Sequence, residues 1–295
     1  MLERRSFLAL AAVSAAALAL LANPAPLTHA VGADLPLFDA HVHWSENAHD
    51  EIPLERALAI LDKSGVRMAA VSSTSDAATI AMYRADPKRV VPMLRPYRTR
   101  SDMGGWAKDA SIPPYLAERL KLGVHKGIGE FHLYGEDAAS PVMKEIVAMA
   151  VARNLILHAH SDARAVEILF RHDPRARILW AHAGFTNAAE VDAMMARYPN
   201  LWVETAIRHD IGPGGALEEA WKAVFLKYPD RWLVGTDSYV TSRWHRMPEI
   251  HAETRAWLAK LPREVAEKMA WRNGVKLFGV SEDAFTGAAP AKKAE

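Results

Sequence analysis

Two histidines one residue apart sit in the stretch LFDAHVHW, residues 37–44. Side chains alternate faces along an extended chain, so His41 and His43 point the same way and can grip one ion. Neutral imidazole suits Zn and similar divalent metals, and carboxylates add harder oxygen ligands. A lone pair of this kind is a weak signal, since a strand-end histidine can serve only as a satisfied polar residue. Its weight comes from residues of the same types that close other apolar runs. These are Glu130 and His132 in HKGIGEFHL, His158 and His160 in LILHAH, His182 in ILWAHAGF, Glu204 in LWVETA and Asp237 in WLVGTDS. A catalytic metal among them would lower the pKa of its water from ~16 to ~7 and polarise a carbonyl. An adjacent carboxylate would take the proton and return it to the leaving group. The chain has no cysteine, which excludes thiolate metal sites, cysteine nucleophiles and disulfides.

The elements that must position these residues alternate. Strands are predicted at Leu37–His43, Arg67–Ser73, Val90–Tyr97, His125–His132, Leu155–His160, Ile178–Gly184, Trp202–Ala206 and Trp232–Asp237. They are short, aliphatic and lack clean polar alternation, as buried parallel strands do. Helical spacing is predicted over Leu54–Lys63, Pro141–Ala152, Ala163–Arg171, Asn187–Tyr198 and Ala216–Tyr228. Residues 98–123 read as a longer loop with a helix at its end. Pro262 opens a last helix to Phe278, with Gly279 after it. Eight such units predict a (β/α)8 TIM barrel as a single domain over residues 34–280. Functional residues of a barrel gather where strands end and the following loops begin, and the histidines and carboxylates above all fall there. A doubly wound open sheet is the competing architecture, but no GxGxxG or GxxxxGK string follows any strand.

Residues 1–33 have the three parts of an export signal. Arg4 and Arg5 form the charged start, and Phe7 to Ala22 is an apolar run. Such a run is short of the ~20 residues a membrane span needs. Thr28-His-Ala30 or Val31-Gly-Ala33 would serve as the cleavage site. RRSFL resembles the twin-arginine signal. The expected location is therefore periplasmic, with no stable membrane span once the signal is removed. Residues 281–295 read as a polar, mobile tail.

The 295 residues are 50% hydrophobic, enough for a sizeable core, and the net charge is +1. A near-neutral body offers no general electrostatic reason to bind nucleic acid. The expected partner is a small-molecule substrate. Arg95–Arg100 and Arg243–Arg246 read as solvated loops. Arg95 is nonetheless the best placed to hold a substrate carboxylate in two-point fashion.

The joint pattern resembles the amidohydrolase superfamily of metal-dependent hydrolases, in particular its amidohydrolase-related branch, over about residues 36–280. That family has HxH on strand 1, Lys or Glu on strand 4, His on strands 5 and 6, and Asp on strand 8. His41, His43, Glu130, His158, His182 and Asp237 match these positions, and NGVKLFGV is similar to the closing helix. The resemblance implies that His41, His43 and Asp237 bind one metal. His158 and His182 would bind a second, or one of them would serve the substrate in a mononuclear member. Glu130 would bridge two ions. The implied cofactor is one or two divalent metals, Zn first. GIGEFHL is partly similar to the GEIGLD string of TatD-type deoxyribonucleases, although His132 and Tyr134 depart from it.

The expected activity is hydrolysis of an amide, ester, lactone or phosphoester, with Asp237 as general base and then acid. The alternatives are a Zn-dependent non-oxidative decarboxylase and a non-catalytic binding protein on the same scaffold. His132 and His160 are expected to touch substrate, with Arg95, and Tyr134, Trp44, Arg208 and Tyr239 also follow strand ends. Lys126 lies ~13 Å down the strand from Glu130, too deep to bridge, and reads as structural. Asp39 shares the face of His41; it either orients a ligand histidine or closes the barrel floor.

Overall fold

Eight apolar runs become parallel strands, hydrogen-bonded in sequence order. They are β1 Leu37–Val42, β2 Val66–Val71, β3 Val90–Leu94, β4 Gly127–Leu133, β5 Ile156–Ser161, β6 Arg177–Trp180, β7 Leu201–Glu204 and β8 Trp232–Leu233. A bridge between Asp39 and Val234 returns the sheet from β8 to β1, so the eight strands form the expected barrel. The computed structural model describes residues 35–286. The export-like segment 1–33 and residues 287–295 of the expected tail lie outside the described residues. Among those described, no helix is long and apolar enough to cross a membrane.

Helices pack around the strands where spacing predicts them, at Leu54–Lys63, Ile112–Leu120, Pro141–Ala152, Ala163–His172, Ala188–Arg197 and Glu219–Lys227. Side-chain caps start three of them: Ser140 accepts from Met143 N, Asp162 from Ala165 N and Asn187 from Glu190 N. Three helices lie where the spacing predicts none: Asp76–Ala85, the short Thr241–His245 and Met247–Leu258. DAATIAMYRA hides its buried face in small residues, Ala78 and Thr79 beside Ile80 and Met82. The last helix runs from Arg263 to Phe278 with one π-type turn, Lys268–Arg272. The stretch read as a tail begins with an anchored turn, Asp283–Thr286, whose Phe285 ring stacks on Trp271 at 4.8 Å.

The expected strand ends run past the observed ladders at the C-terminal ends of the strands. There the backbone leaves strand pairing because side chains take over its hydrogen bonds. The amides of His182 and Ala206 both donate to the Glu204 carboxylate. The His43 amide donates to the Ser238 hydroxyl, and its carbonyl accepts from Ser238 and the Trp244 indole. These bonds hold the rim as firmly as a ladder does, but in positions no strand pattern describes.

Asp39 is a seam residue. One oxygen accepts from the backbone amides of His41 and Thr236; the other accepts from the Thr236 hydroxyl and faces His251 Nε2 at 3.0 Å. It touches no ligand imidazole, so its part is closing the barrel between β1 and the chain after β8. Asp39→Ala orphans several buried donors at ~1–3 kcal/mol each. The expected loss is therefore at least ~3 kcal/mol, read from denaturant unfolding; an unchanged midpoint would remove Asp39 from the seam. Lys126 is exposed at the opposite end of β4, as its depth required.

Candidate metal centre

His41 and His43 end β1 with their rings inside the barrel. His41 Nδ1 lies 2.8 Å from Glu204 Oε1, and His43 Nδ1 bonds the Ser72 carbonyl. An ionised carboxylate and a carbonyl only accept, so each Nδ1 carries the hydrogen. Both Nε2 atoms point inward and face each other at 3.0 Å, and in the neutral ring each would offer a lone pair. His182 repeats the arrangement: its Nδ1 donates to the Ala206 carbonyl at 2.9 Å, and its buried Nε2 has no hydrogen-bond partner among the described residues. Fixing the tautomer through the far nitrogen is how metal-ligating histidines are oriented.

Two carboxylates face these lone pairs. Glu130 Oε2 lies 3.4 Å from His41 Nε2 and 3.1 Å from His43 Nε2, while its Oε1 lies 3.5 Å from His182 Nε2. Asp237 Oδ1 lies 3.6 and 3.2 Å from the same two nitrogens of His41 and His43, and its Oδ2 lies 3.7 Å from His182 Nε2. Each carboxylate therefore spans the two halves of the donor set. Asp237 Oδ1 is buried without a hydrogen-bond donor among the described residues.

Local backbone explains both placements. Gly129 pairs with His158 and Phe131 with Ala159, so Glu130 is the extra residue of a bulge, a device that re-aims a side chain. Only glycine fits before it: φ is 127°, and a Cβ would come within 2.2 Å of the His158 carbonyl oxygen. Gly235 lets the chain after β8 approach β1, since a Cβ there would meet His41 Cβ at 2.9 Å. Asp237 has φ 53°, its amide donates to the His41 carbonyl, and the Arg243 guanidinium donates to the Asp237 and Thr236 carbonyls. Arg243 is thus a clamp on the rim rather than a residue of a solvated loop.

The other expected residues divide. His158 does not join Glu130 and Asp237. It sits beside His41 and Glu204, its Nε2 3.9 Å from Glu204 Oε1 and without a hydrogen-bond partner among the described residues. His160, one pleat higher, instead reaches Glu130 Oε1 at 2.8 Å and packs edge-on against His182. The His132 ring packs at a tilt against His160, 4.3 Å between centroids, and its amide donates to the Tyr97 hydroxyl. Arg95 is buried and engaged: it donates to the Glu130 carbonyl at 3.0 Å and to Oε2 at 3.3 Å. Trp44 is buried with its indole on the Ile52 carbonyl, and Arg208 is bound to Asp210 and the His182 and Thr186 carbonyls.

A cavity of about 350 Å³ opens over the centre, lined by Arg95, His132, His160, Asp237 and Tyr239 among others. Glu204 is the residue whose importance the sequence understated. It closed a strand like the others, yet nothing in its spacing marked it as the acceptor that orients His41.

The electrostatics call for a cation. Glu130, Glu204 and Asp237 are all buried, and burial opposes their ionisation. The charge of His41, with hydrogen bonds from neighbouring histidines, outweighs it and holds all three below the usual carboxylate range. Burial equally opposes protonation of His41, but Asp237, Glu130 and Glu204 raise its pKa well above that of free imidazole. Among the described residues, Arg95 is the one permanently charged side chain paired with any of the three. Burial and the His41 charge push His158 down to about 4, and burial pushes His132 to about 4, so both are neutral. His182 is likewise raised against burial, by Glu204 and Glu130. Inward imidazole nitrogens converge with three buried carboxylates, where protons on the rings balance the charge; such a set fits a divalent metal that would displace those protons.

The family model described as Amidohydrolase matches residues 38–280. No curated protein sequence matches the chain. Among solved structures, a candidate 2-pyrone-4,6-dicarboxylic acid hydrolase from Pseudomonas putida superposes with a TM-score of 0.61 at 17% identity, covering 83% of this chain and 98% of that one. An amidohydrolase from Burkholderia multivorans with bound Zn gives 0.55 at 13% identity, covering 83% and 100%. A TIM-barrel protein from Bordetella bronchiseptica gives 0.60 at 15%, covering 83% and 99%. These likenesses bear on the barrel; they lend nothing to the TatD-type reading of GIGEFHL.

Proposed function

The chain belongs to the amidohydrolase family, and on that premise we propose that it is an exported, metal-dependent hydrolase of a small-molecule amide, ester, lactone or phosphoester. The observation that carries this reading is the facing pair of inward Nε2 atoms of His41 and His43, 3.0 Å apart beside two carboxylates. His41, His43, Glu130, His182 and Asp237 would hold one or two divalent ions, Zn first. Such an ion supplies Lewis-acid polarisation of the substrate oxygen and water acidic enough to lose its proton near neutral pH.

The chain's own residues do the rest. Asp237 lines the cavity and takes the proton of the attacking water, then delivers it to the leaving group. Glu130, with one oxygen toward each half of the donor set, is the bridging ligand if two ions bind. Arg95 orients Glu130 through bonds to its carbonyl and its Oε2. His132 and His160 face the substrate, whereas His158 supports His41 and Glu204 from below. A decarboxylase would need a carboxylate-binding arginine beside the metal; Arg95 is already engaged by Glu130, which leaves that part to Arg100 on the exposed side of the same cavity.

Elemental analysis with a substrate panel tests the reading. About one or two equivalents of divalent metal per chain are expected, with turnover of an ester, lactone, amide or phosphoester that chelation abolishes and metal restores. The dicarboxylate lactone of the Pseudomonas relative belongs in the panel. Full hydrolysis by metal-free folded protein would sink the mechanism; turnover only of aromatic carboxylates would make it a decarboxylase. Export rests on residues 1–33, and the mass of the mature protein checks it. Cleavage after Ala30 or Ala33 is expected, while an uncleaved mass would leave an anchor.

A further inference from the structure

We propose that Ile207 is a partition that limits how long a substrate the centre accepts, by closing the catalytic cavity off from a second chamber behind the ends of β7 and β8. This rests on the hydrolase reading of the same centre. The second chamber measures about 300 Å³ and lies between the β7 loop, Gly235 and the helix Met247–Leu258, with Thr254 and Trp257 on its wall. Ile207 is the one residue that the linings of the two cavities share. The neighbouring wall contains Gly235 and the Thr236–Asp237 backbone, which Arg243 clamps, so the Ile207 side chain is its removable part.

The backbone at this position argues that the side chain is kept for what it occupies. Ile207 has φ 61°. That left-handed region is one that β-branched residues avoid and glycine adopts without penalty. An isoleucine there is strained relative to glycine. Strain of this kind persists where surroundings impose it, and it clusters at active sites. Nor does local hydrogen bonding need the side chain. The His209 amide donates to the Ile207 carbonyl and the Arg208 amide to Thr205, and both bonds survive truncation. What truncation removes is the apolar plug beside Asp237.

The chamber behind the plug is mixed in character. Arg208 and Arg243 on its wall are both occupied, one by Asp210 and backbone carbonyls, the other by the Thr236 and Asp237 carbonyls. Glu253 and His209 line its exposed side, while Ile250 and the buried Trp257 offer apolar surface to an entering chain. The class of substrate admitted on opening the wall is therefore one with a longer aliphatic arm next to the scissile bond.

The test compares Ile207→Gly and the volume-keeping control Ile207→Leu with the unaltered metal-loaded protein. Affinities for acetohydroxamate and octanohydroxamate, measured by calorimetry, share a metal-binding head and differ in tail. In Ile207→Gly the preference for the long tail should rise at least ~10-fold, the effect of burying two or more extra methylenes; in Ile207→Leu it should stay as in the unaltered protein. Tight acetohydroxamate binding with no change in length preference would overturn the partition while leaving the metal centre intact. Failure of acetohydroxamate to bind at all would count against the metal centre instead. A crystal structure of Ile207→Gly then decides the partition without any ligand: one continuous chamber supports it, and two separate cavities overturn it.

Discussion

Asp237→Asn is expected to lower turnover ~10²- to 10⁴-fold at saturating metal, the range for losing a positioned acid–base. The variant is chosen for the backbone. Asp237 has φ 53°, a conformation asparagine tolerates almost as aspartate does, whereas alanine would add strain. The amide bond to the His41 carbonyl and the Arg243 clamp involve only main chain and should survive. An asparagine still offers one oxygen toward His41 and His43, so metal content should fall less than turnover. The measurement is kcat against KM with metal content determined on the same sample. Unchanged turnover would remove Asp237 from proton transfer, and a loss confined to metal content would make it a ligand alone.

Glu204→Gln is expected to weaken metal affinity ~10- to 100-fold, the usual effect of losing the partner that orients a ligand histidine. The Glu204 carboxylate accepts from His41 Nδ1 at 2.8 Å, the His182 amide at 2.9 Å and the Ala206 amide at 2.5 Å, fully buried. An amide side chain has one acceptor oxygen and must turn its NH2 toward one of these donors. Two donors then face each other in the core, a loss of ~1–3 kcal/mol for each one left unpaired. The pinned tautomer of His41 is released as well. Competition with a chelator reads the affinity and denaturant unfolding reads the stability. If neither moves, Glu204 is an idle core residue. If stability alone falls, it supports the rim without orienting His41.

The sequence was informative wherever one element sufficed. Buried parallel strands are continuous apolar runs, so all eight could be placed, and His41 and His43 shared a face by alternation alone. Helices with large apolar spacing, such as Ala163–His172, were legible, but Asp76–Ala85 was not, because small residues carry its buried face. Glycine-bearing strand ends were harder. The bulge at Glu130 and the left-handed run from His182 to Phe185 depend on contacts made by other strands, and no local pattern announces them.

By itself, the sequence determined the barrel, the absence of thiol chemistry and the types of donor available: imidazoles and carboxylates at one end of eight strands. Tertiary structure decided which of them meet. Two residues on one strand face, His158 and His160, sit at different depths, so one props His41 and the other reaches Glu130. Arg95, a plausible substrate anchor by position, is spent on Glu130, and Glu204, given no role, fixes a tautomer. The reason is geometric. Alternation specifies the face of a side chain, but the depth at which rings and carboxylates converge depends on strand stagger, bulges and backbone turns around the closed barrel. Ile207 is the plainest case, an ordinary loop isoleucine in sequence whose left-handed backbone and place between two cavities exist only in the fold.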